Sequence, residues 1–306
     1  MSESKTPSSS LAQHEPIIAL VGFLGTGKTT FLKQLVNDSL KAEAKPFVII
    51  NDYQNALFDS QQFSEKLGSE FVETVNGSCI CCTGIHELRA SVNQIPQRQN
   101  GLTIIEANGT SDACTLMEFL SVGIEDRFAP PIQISIVSVA EWQKRGLDNE
   151  LEANQVQVSS LILLNQFGNS EKEKAEKVTA DLKQLNPNAK IIDMEDFKFS
   201  DVFQLIPSTN SPAKMDHKKS HWSSCSVEIP DPISSEKLRH VLNNIPQSIL
   251  RVKGCTRLDN DEHYTMFERI PNQEVFARPC SYEPITGPKM IAVGPGSNPE
   301  KLTELF

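Results

Sequence analysis

Nowhere in this 306-residue chain does an apolar run approach the ~18 residues that would cross a bilayer as a helix. The first fifteen residues are polar and serine-rich and hold no apolar core of a secretory signal, so they are expected to be a disordered tail on a cytoplasmic protein. Positive charge is also short. With 29 Lys and Arg against 39 Asp and Glu, the formal net charge is −10, which argues against a general nucleic-acid or anionic-membrane binder. Internal repeats are absent, and so is a secreted disulfide framework. The cysteines number 7, an odd count, and Cys79, Cys81 and Cys82 crowd into one short stretch, so reduced thiols are expected. What the chain does have is a hydrophobic content of 39%, enough for a core, and length for two ordinary domains.

Its most informative stretch begins at Ile17. Ile17 to Val21 is apolar and reads as a buried strand. It runs into Gly22-x-x-x-x-Gly27-Lys28-Thr29, the phosphate-binding P-loop pattern, and a helix-like segment, Phe31 to Leu40, follows. Polyphosphate needs many donors at close range. Gly22, Gly25 and Gly27 let the backbone approach, and their N–H groups form a nest at the helix N-terminus. Lys28 would reach the β- and γ-phosphates, and the Thr29 hydroxyl would hold Mg²⁺.

Further apolar strands are expected at 46–50, 70–75, 102–105, 132–139, 161–164 and 191–192, with helices at 84–95, 150–158 and 172–185. This alternation implies an α/β P-loop NTPase domain with a mostly parallel sheet covered on both faces. In such sheets the chemistry sits at the carboxyl ends of the strands. The P-loop, Asn51-Asp52, Glu106 and Asn165 fall at those ends and are candidates for one crevice. Composition shifts near 205–222, where Pro207-Ser208-Thr209-Asn210-Ser211-Pro212 reads as a linker. The expected division is a tail at 1–15, the nucleotide domain at 16–205, a linker at 206–222 and a small α+β domain at 223–306. That last domain would hold strands at 224–229, 249–255, 264–270, 275–278 and 289–293 and helices at 234–244 and 299–306, in a ferredoxin-like arrangement.

Cys79-Ile80-Cys81-Cys82 is the second signal. Thiolates are soft ligands suited to Zn²⁺, Cu⁺ and related ions. An i, i+2 pair on an extended segment points two sulfurs the same way, and Cys82 falls at the turn into a helix, whose N-terminus favours the thiolate. The competing reading is a chance cluster of small core residues. His86, four residues after Cys82, would complete a Cys₃His site or be a solvated helix residue. His217 and His221 fall in a charged linker. Cys114, Cys225, Cys255 and Cys280 are scattered and read as structural, and the Lys/Glu-rich run from Glu171 to Lys177 as a solvated helix face.

Taken together, Gly22-Phe23-Leu24-Gly25-Thr26-Gly27-Lys28-Thr29-Thr30, Asn76-Gly77-Ser78-Cys79-Ile80-Cys81-Cys82, Glu106-Ala107-Asn108-Gly109 and Leu250-Arg251-Val252-Lys253-Gly254 make the chain resemble the CobW-like P-loop GTPases, which act as metallochaperones. The resemblance covers nearly everything after residue 16. It implies that Gly22, Gly25, Thr26, Gly27, Lys28, Thr29, Thr30 and Asn165 bind GTP and that Thr29 and Asp52 hold Mg²⁺. It further implies that Lys28 and Glu106 serve catalysis, and that Cys79, Cys81 and Cys82 bind a cargo metal, zinc first and cobalt second. Glu106 and Gly109 match the family's γ-phosphate switch, and Asp52 and Asp59 fall in the segment between the two sites. The expected partner is a client metalloprotein, with neither nucleic acid nor membrane; a homodimer stays open.

Three departures stand against this. The guanine-reading Asn-Lys-x-Asp is replaced by Asn165-Gln166-Phe167-Gly168, which loses the carboxylate that accepts two base N–H bonds. That loss costs about 1.5–3 kcal/mol, or roughly ten- to a hundredfold in guanine preference, unless Asn169 or Glu171 substitutes. Asn51-Asp52-Tyr53-Gln54 stands where the family has Asn-Glu-Phe-Gly, and the family's His-rich stretch is nearly absent. A non-hydrolysing nucleotide-dependent adaptor is therefore a competing expectation. An ATP-using small-molecule kinase is a third, though it leaves the cysteine cluster unexplained.

Overall fold

The computed structural model describes residues 14–51, 56–75, 85–165, 172–210, 224–249, 251–259, 261–270, 274–280, 287–294 and 297–306. Seven strands form the first sheet: β1 (Ile17–Val21), β2 (Lys45–Ile50), β3 (Val72–Thr74), β4 (Gly101–Glu106), β5 (Ile132–Ser138), β6 (Leu161–Asn165) and β7 (Lys190–Asp193). Their order is β3-β2-β4-β1-β5-β6-β7 and every pairing is parallel. All five residues of β1 are buried, as a strand covered on both faces requires, which is why its sequence is a continuous apolar run.

The alternation of β1 divides two cores. Ile17, Ala19 and Val21 pack with Leu88 and Val92 of α3 (Ile85–Gln94) and with Leu116 and Leu120 of α4 (Ala113–Leu120). Ile18 and Leu20 pack on the other face with Phe31, Leu32, Leu35 and Val36 of α1 (Lys28–Lys41). Burying a side chain of this size contributes about 1.5–3 kcal/mol, so this amphipathic stripe fixes α1 against the sheet. Flanking β6 and β7, α6 (Lys172–Leu185) buries Val178 and Leu182, while α5 (Asn149–Gln157) lies beside α4.

The strand expectations hold to within a residue or two, apart from 70–75, which resolves into a 3-10 turn at Ser69–Phe71 and a short β3. Helix α1 begins three residues before the expected Phe31. Two helices, α2 (Ala56–Leu67) and α4, were not anticipated.

A second sheet is antiparallel throughout, in the order β11-β10-β9-β12-β8, from β8 (Ser224–Glu228), β9 (Arg251–Arg257), β10 (Tyr264–Arg269), β11 (Phe276–Cys280) and β12 (Lys289–Val293). Helix α7 (Ser235–Asn244) links β8 to β9 with β12 between them, the split βαβ unit of a ferredoxin-like fold. The chain then adds the β9–β10–β11 meander, so the ferredoxin-like strand order is not completed. Ser234 caps α7 by accepting from the Lys237 amide at 3.1 Å, and the terminal helix α8 (Pro299–Thr303) has Pro at its first turn.

One face of this sheet carries the core, with Leu238, Leu242, Val252, Phe267, Met290 and Ala292. Its opposite face and one corner lie against the first sheet's P-loop side. Val293, at the end of β12, packs with Phe23, Leu24 and Leu151. Ile270, just after β10, approaches Gly25, and Arg278 of β11 donates to Gln62 Oε1 in α2 at 3.1 Å. Among the described residues no helix is long and apolar enough to cross a membrane.

Candidate functional site

The loop from Gly22 to Gly27 leaves the carboxyl end of the central strand β1 and turns into α1. Gly25 at φ +77° and Gly27 at φ +101° occupy left-handed backbone that side chains other than glycine's disfavour. Gly27 is the N-cap of α1 and provides no side-chain cap, and the first turn has no acidic residue. The first intrahelical bond runs from the Phe31 amide to the Gly27 carbonyl at 2.9 Å. The amides before Phe31 therefore point out of the helix end, where the dipole favours an anion.

Lys28 is 5% exposed and straps the loop from within. Its Nζ donates to the Gly22 carbonyl at 2.8 Å and to the Phe23 carbonyl at 3.1 Å. Thr26 Oγ1 donates to the Phe23 carbonyl at 2.9 Å, and Asn165 Nδ2, at the end of β6, donates to the Thr26 carbonyl at 2.9 Å. Thr29 Oγ1 donates to Glu106 Oε1 at 2.7 Å across the gap between α1 and the end of β4. Thr30 is exposed one residue further on. The expected crevice is thus assembled from its described members: the P-loop, Asn51, Glu106 and Asn165. The Asn51 amide bonds the Glu106 carbonyl at 2.9 Å, which places the end of β2 beside them.

Paired hydroxyl and carboxylate oxygens at a phosphate-loop mouth are hard donors of the kind Mg²⁺ takes, and Lys28 with the loop amides supplies the balancing positive field. Asp52, Cys79, Cys81, Cys82, Gln166, Phe167, Gly168, Asn169, Glu171, His217 and His221 lie outside the described residues, as do the side chains of Asp59 and His86. Among the described residues no cluster of three or more His, Cys, Asp or Glu could hold a metal ion. Cys114 is buried in α4, and burial, with Asp112 adding to it, pushes its thiol up to about 12, so it stays protonated and structural. Cys255 and Cys280 are not scattered as their positions in the chain suggested. The second sheet brings their thiols into contact, and burial first, then Cys280, pushes Cys255 up to about 12.

Three contributors escaped the sequence reading. Ile270 and Val293 press on the P-loop from a distant part of the chain. The third is α5, which grips the loop after β4. A Cβ on Gly109 would stand 2.5 Å from Leu24 Cδ2 and 2.9 Å from the Leu24 amide nitrogen, so this loop lies directly on the P-loop. Gln155 Nε2 donates to the Gly109 carbonyl at 3.0 Å and the Ser111 carbonyl at 3.1 Å, and Asn154 Oδ1 accepts from the Ala113 amide at 3.1 Å. The only sequence trace of this is a polar residue at each of two helix positions that the fold turns inward.

A family model described as CobW/HypB/UreG, nucleotide-binding domain, matches residues 16–193. The zinc-regulated GTPase metalloprotein activator 1 of Dictyostelium discoideum is 26% identical over 216 residues, covering 58% of this chain and 45% of that protein. The zinc chaperone YjiA of Escherichia coli (strain K12) is 23% identical over 277 residues, covering 83% of this chain and 85% of its own length. The chain thus spans less than half of the Dictyostelium relative and most of the bacterial one. The crystal structure of Zn(II)-bound YjiA GTPase from E. coli aligns over 96% of this chain and 98% of its own, at 18% identity and a TM-score of 0.41.

Proposed function

The chain belongs to the CobW/HypB/UreG nucleotide-binding family, and from that premise we propose that it hydrolyses GTP and uses the cycle to deliver zinc, or else cobalt, to a client metalloprotein. The observation that carries the reading is the Thr29–Glu106 contact of 2.7 Å beside the Lys28-strapped loop, since it joins a phosphate cradle to a divalent-ion locus. In this reading the β- and γ-phosphates lie against the loop amides and Lys28. Thr29 and Asp52 hold Mg²⁺, which when bound neutralises charge on the phosphate oxygens. Glu106 orients the attacking water or the magnesium shell. Catalysis is then mostly positioning and charge stabilisation, with no covalent step on the protein.

Cys79, Cys81 and Cys82 are assigned to the cargo metal, and the Asp52–Asp59 segment to the coupling between the two sites. The relatives named for zinc favour zinc as cargo. Residues 16–205 would form the nucleotide unit and 223–306 the unit that meets the client. Asn165 already donates its amide to Thr26, so it braces the P-loop, and with Gly168 in the guanine-reading segment the base preference is expected to be weak.

Phosphate release from GTP should fall at least tenfold in Lys28→Ala, and equal rates would refute the enzyme reading. Metal analysis of Cys81→Ser should show less bound zinc than wild type, and unchanged content would remove the cargo site from that cluster. The altered Asn51–Gln54 and Asn165–Gly168 segments favour one competitor, a non-hydrolysing adaptor. Tight nucleotide binding without turnover in the presence of zinc would select it.

A further inference from the structure

Helix α5 turns polar side chains into the protein, which a surface helix does not ordinarily do. Of its nine residues, Leu151, Glu152, Asn154, Gln155 and Val156 are buried. Gln155 is 1% exposed. Both of its bonds as donor go to one loop, at the Gly109 and Ser111 carbonyls, at 3.0 and 3.1 Å. Its backbone carbonyl is in turn held by Gln133 Nε2 and Ser135 Oγ, each at 2.7 Å, so the helix cannot slide away from the sheet at this point. Yet Gln155 Oε1 and Ser111 Oγ are buried with no hydrogen-bond partner among the described residues. A buried polar atom left unmatched is costly, and native proteins keep one where another requirement overrides it. The requirement visible here is the loop's position. The amide is oriented donor-side to the loop at the expense of its own oxygen. The same loop begins at Glu106, whose carboxylate bonds Thr29, and lies on the P-loop at Leu24.

We propose that Gln155 is a positioning residue that pre-sets the Glu106–Ser111 loop for the γ-phosphate and so determines how strongly the site prefers nucleoside triphosphate to diphosphate. The inference rests on the nucleotide-site reading above and adds to it a residue outside every P-loop motif. Fixing the loop in advance removes its ordering entropy from the binding step. The benefit goes to the ligand that reaches the loop, the triphosphate, and not to the diphosphate, whose β-phosphate ends in the cradle of Gly22–Thr29.

The test is titration of wild type, Gln155→Leu and Gln133→Leu with a non-hydrolysable GTP analogue and with GDP, with thermal melts alongside. Gln155→Leu should weaken analogue binding by about fivefold or more, the lower end of measured coupling between sites, while GDP affinity stays within about twofold. Gln133→Leu removes one bond to the Gln155 carbonyl but leaves the Ser135 bond to that carbonyl and both loop contacts of the Gln155 side chain in place. It should lower the melting temperature and leave the triphosphate-to-diphosphate ratio unchanged. An unchanged ratio in Gln155→Leu, or an equal shift in Gln133→Leu, overturns the inference while leaving the nucleotide reading intact. Wild-type protein that binds neither nucleotide overturns both.

Discussion

Replacing Gly254 by alanine would put a methyl group where the second sheet has no room for one. The new Cβ would stand 2.2 Å from Phe267 Cζ and 2.7 Å from the Lys289 carbonyl oxygen. Carbon atoms in favourable contact are ~3.5–4.0 Å apart, so the ring would have to retreat by more than an ångström. Phe267 is 2% exposed and enclosed by Val252, Leu242 and Met290, and Lys289 is a backbone neighbour in the paired strand β12. Neither side yields easily. Overpacking of this kind costs about 1–3 kcal/mol, and the two-sided clash places Gly254→Ala at the upper end. At ~2–4 °C per kcal/mol, the melting temperature should fall by roughly 6–12 °C. Phe267→Leu removes the clashing atom. The double variant Gly254→Ala/Phe267→Leu should therefore be more stable than the sum of the single effects predicts. Thermal melts followed by circular dichroism decide it. A Gly254→Ala protein melting within about 2 °C of wild type, or strictly additive variants, would refute the steric argument.

Two more outcomes follow from the ionisable groups. Burial by itself would raise the Asp231 carboxyl, but hydrogen bonds from the Arg257 side chain and its backbone amide, the latter at 2.9 Å, outweigh it and hold the carboxyl below its ordinary value. A depressed folded pKa means that the stabilisation is present above the unfolded value near 3.8 and is lost as pH falls through the folded one. The stability gap between wild type and Asp231→Asn should therefore narrow on acidification from about pH 5 to about pH 2. A gap that widens over that range in urea titrations would contradict the assignment. In the second case, Cys114 and Cys255, both pushed up to about 12, should resist iodoacetamide in the folded protein at about pH 8 and react once unfolded. Rapid labelling of either in peptide mass maps of native protein would count against their burial.

How much could be read in advance depended on whether a residue's partners were near it in the chain. The β1–loop–α1 unit and α6 are local: apolar runs, glycines and helical periodicity suffice to place Ile17–Val21 and Lys172–Leu185. Helix α4 is not legible because its 8 residues are shorter than the stretch over which a helical period can be read, although Asp112 accepts from the Cys114 and Thr115 amides as an N-cap. Helix α2 is masked in the sequence because Asp59, Ser60 and Ser64, residues of low helix propensity, interrupt its apolar positions. The sheet order β3-β2-β4-β1-β5-β6-β7 sets non-consecutive strands side by side, and no local pattern encodes that. The same holds for the candidate site. Lys28, Thr29 and Glu106 were legible by motif, whereas Gln155, Ile270 and Val293 act through contacts across dozens to hundreds of residues.

That separation has a consequence for synthesis. Ile270, whose Cδ1 atom sits 2.6 Å from where a Gly25 Cβ would be, is synthesised 245 residues after Gly25, since 270 − 25 = 245. At ~5–20 residues per second the nascent chain carries its phosphate loop for roughly 10–50 s before the strand end that props it exists. Val293, the partner of Phe23 and Leu24, is later still. Until then the side of Phe23 and Leu24 that meets Val293 is uncovered apolar surface, although Leu151 is already available to pack against them. A chain truncated before β12 would keep that side uncovered.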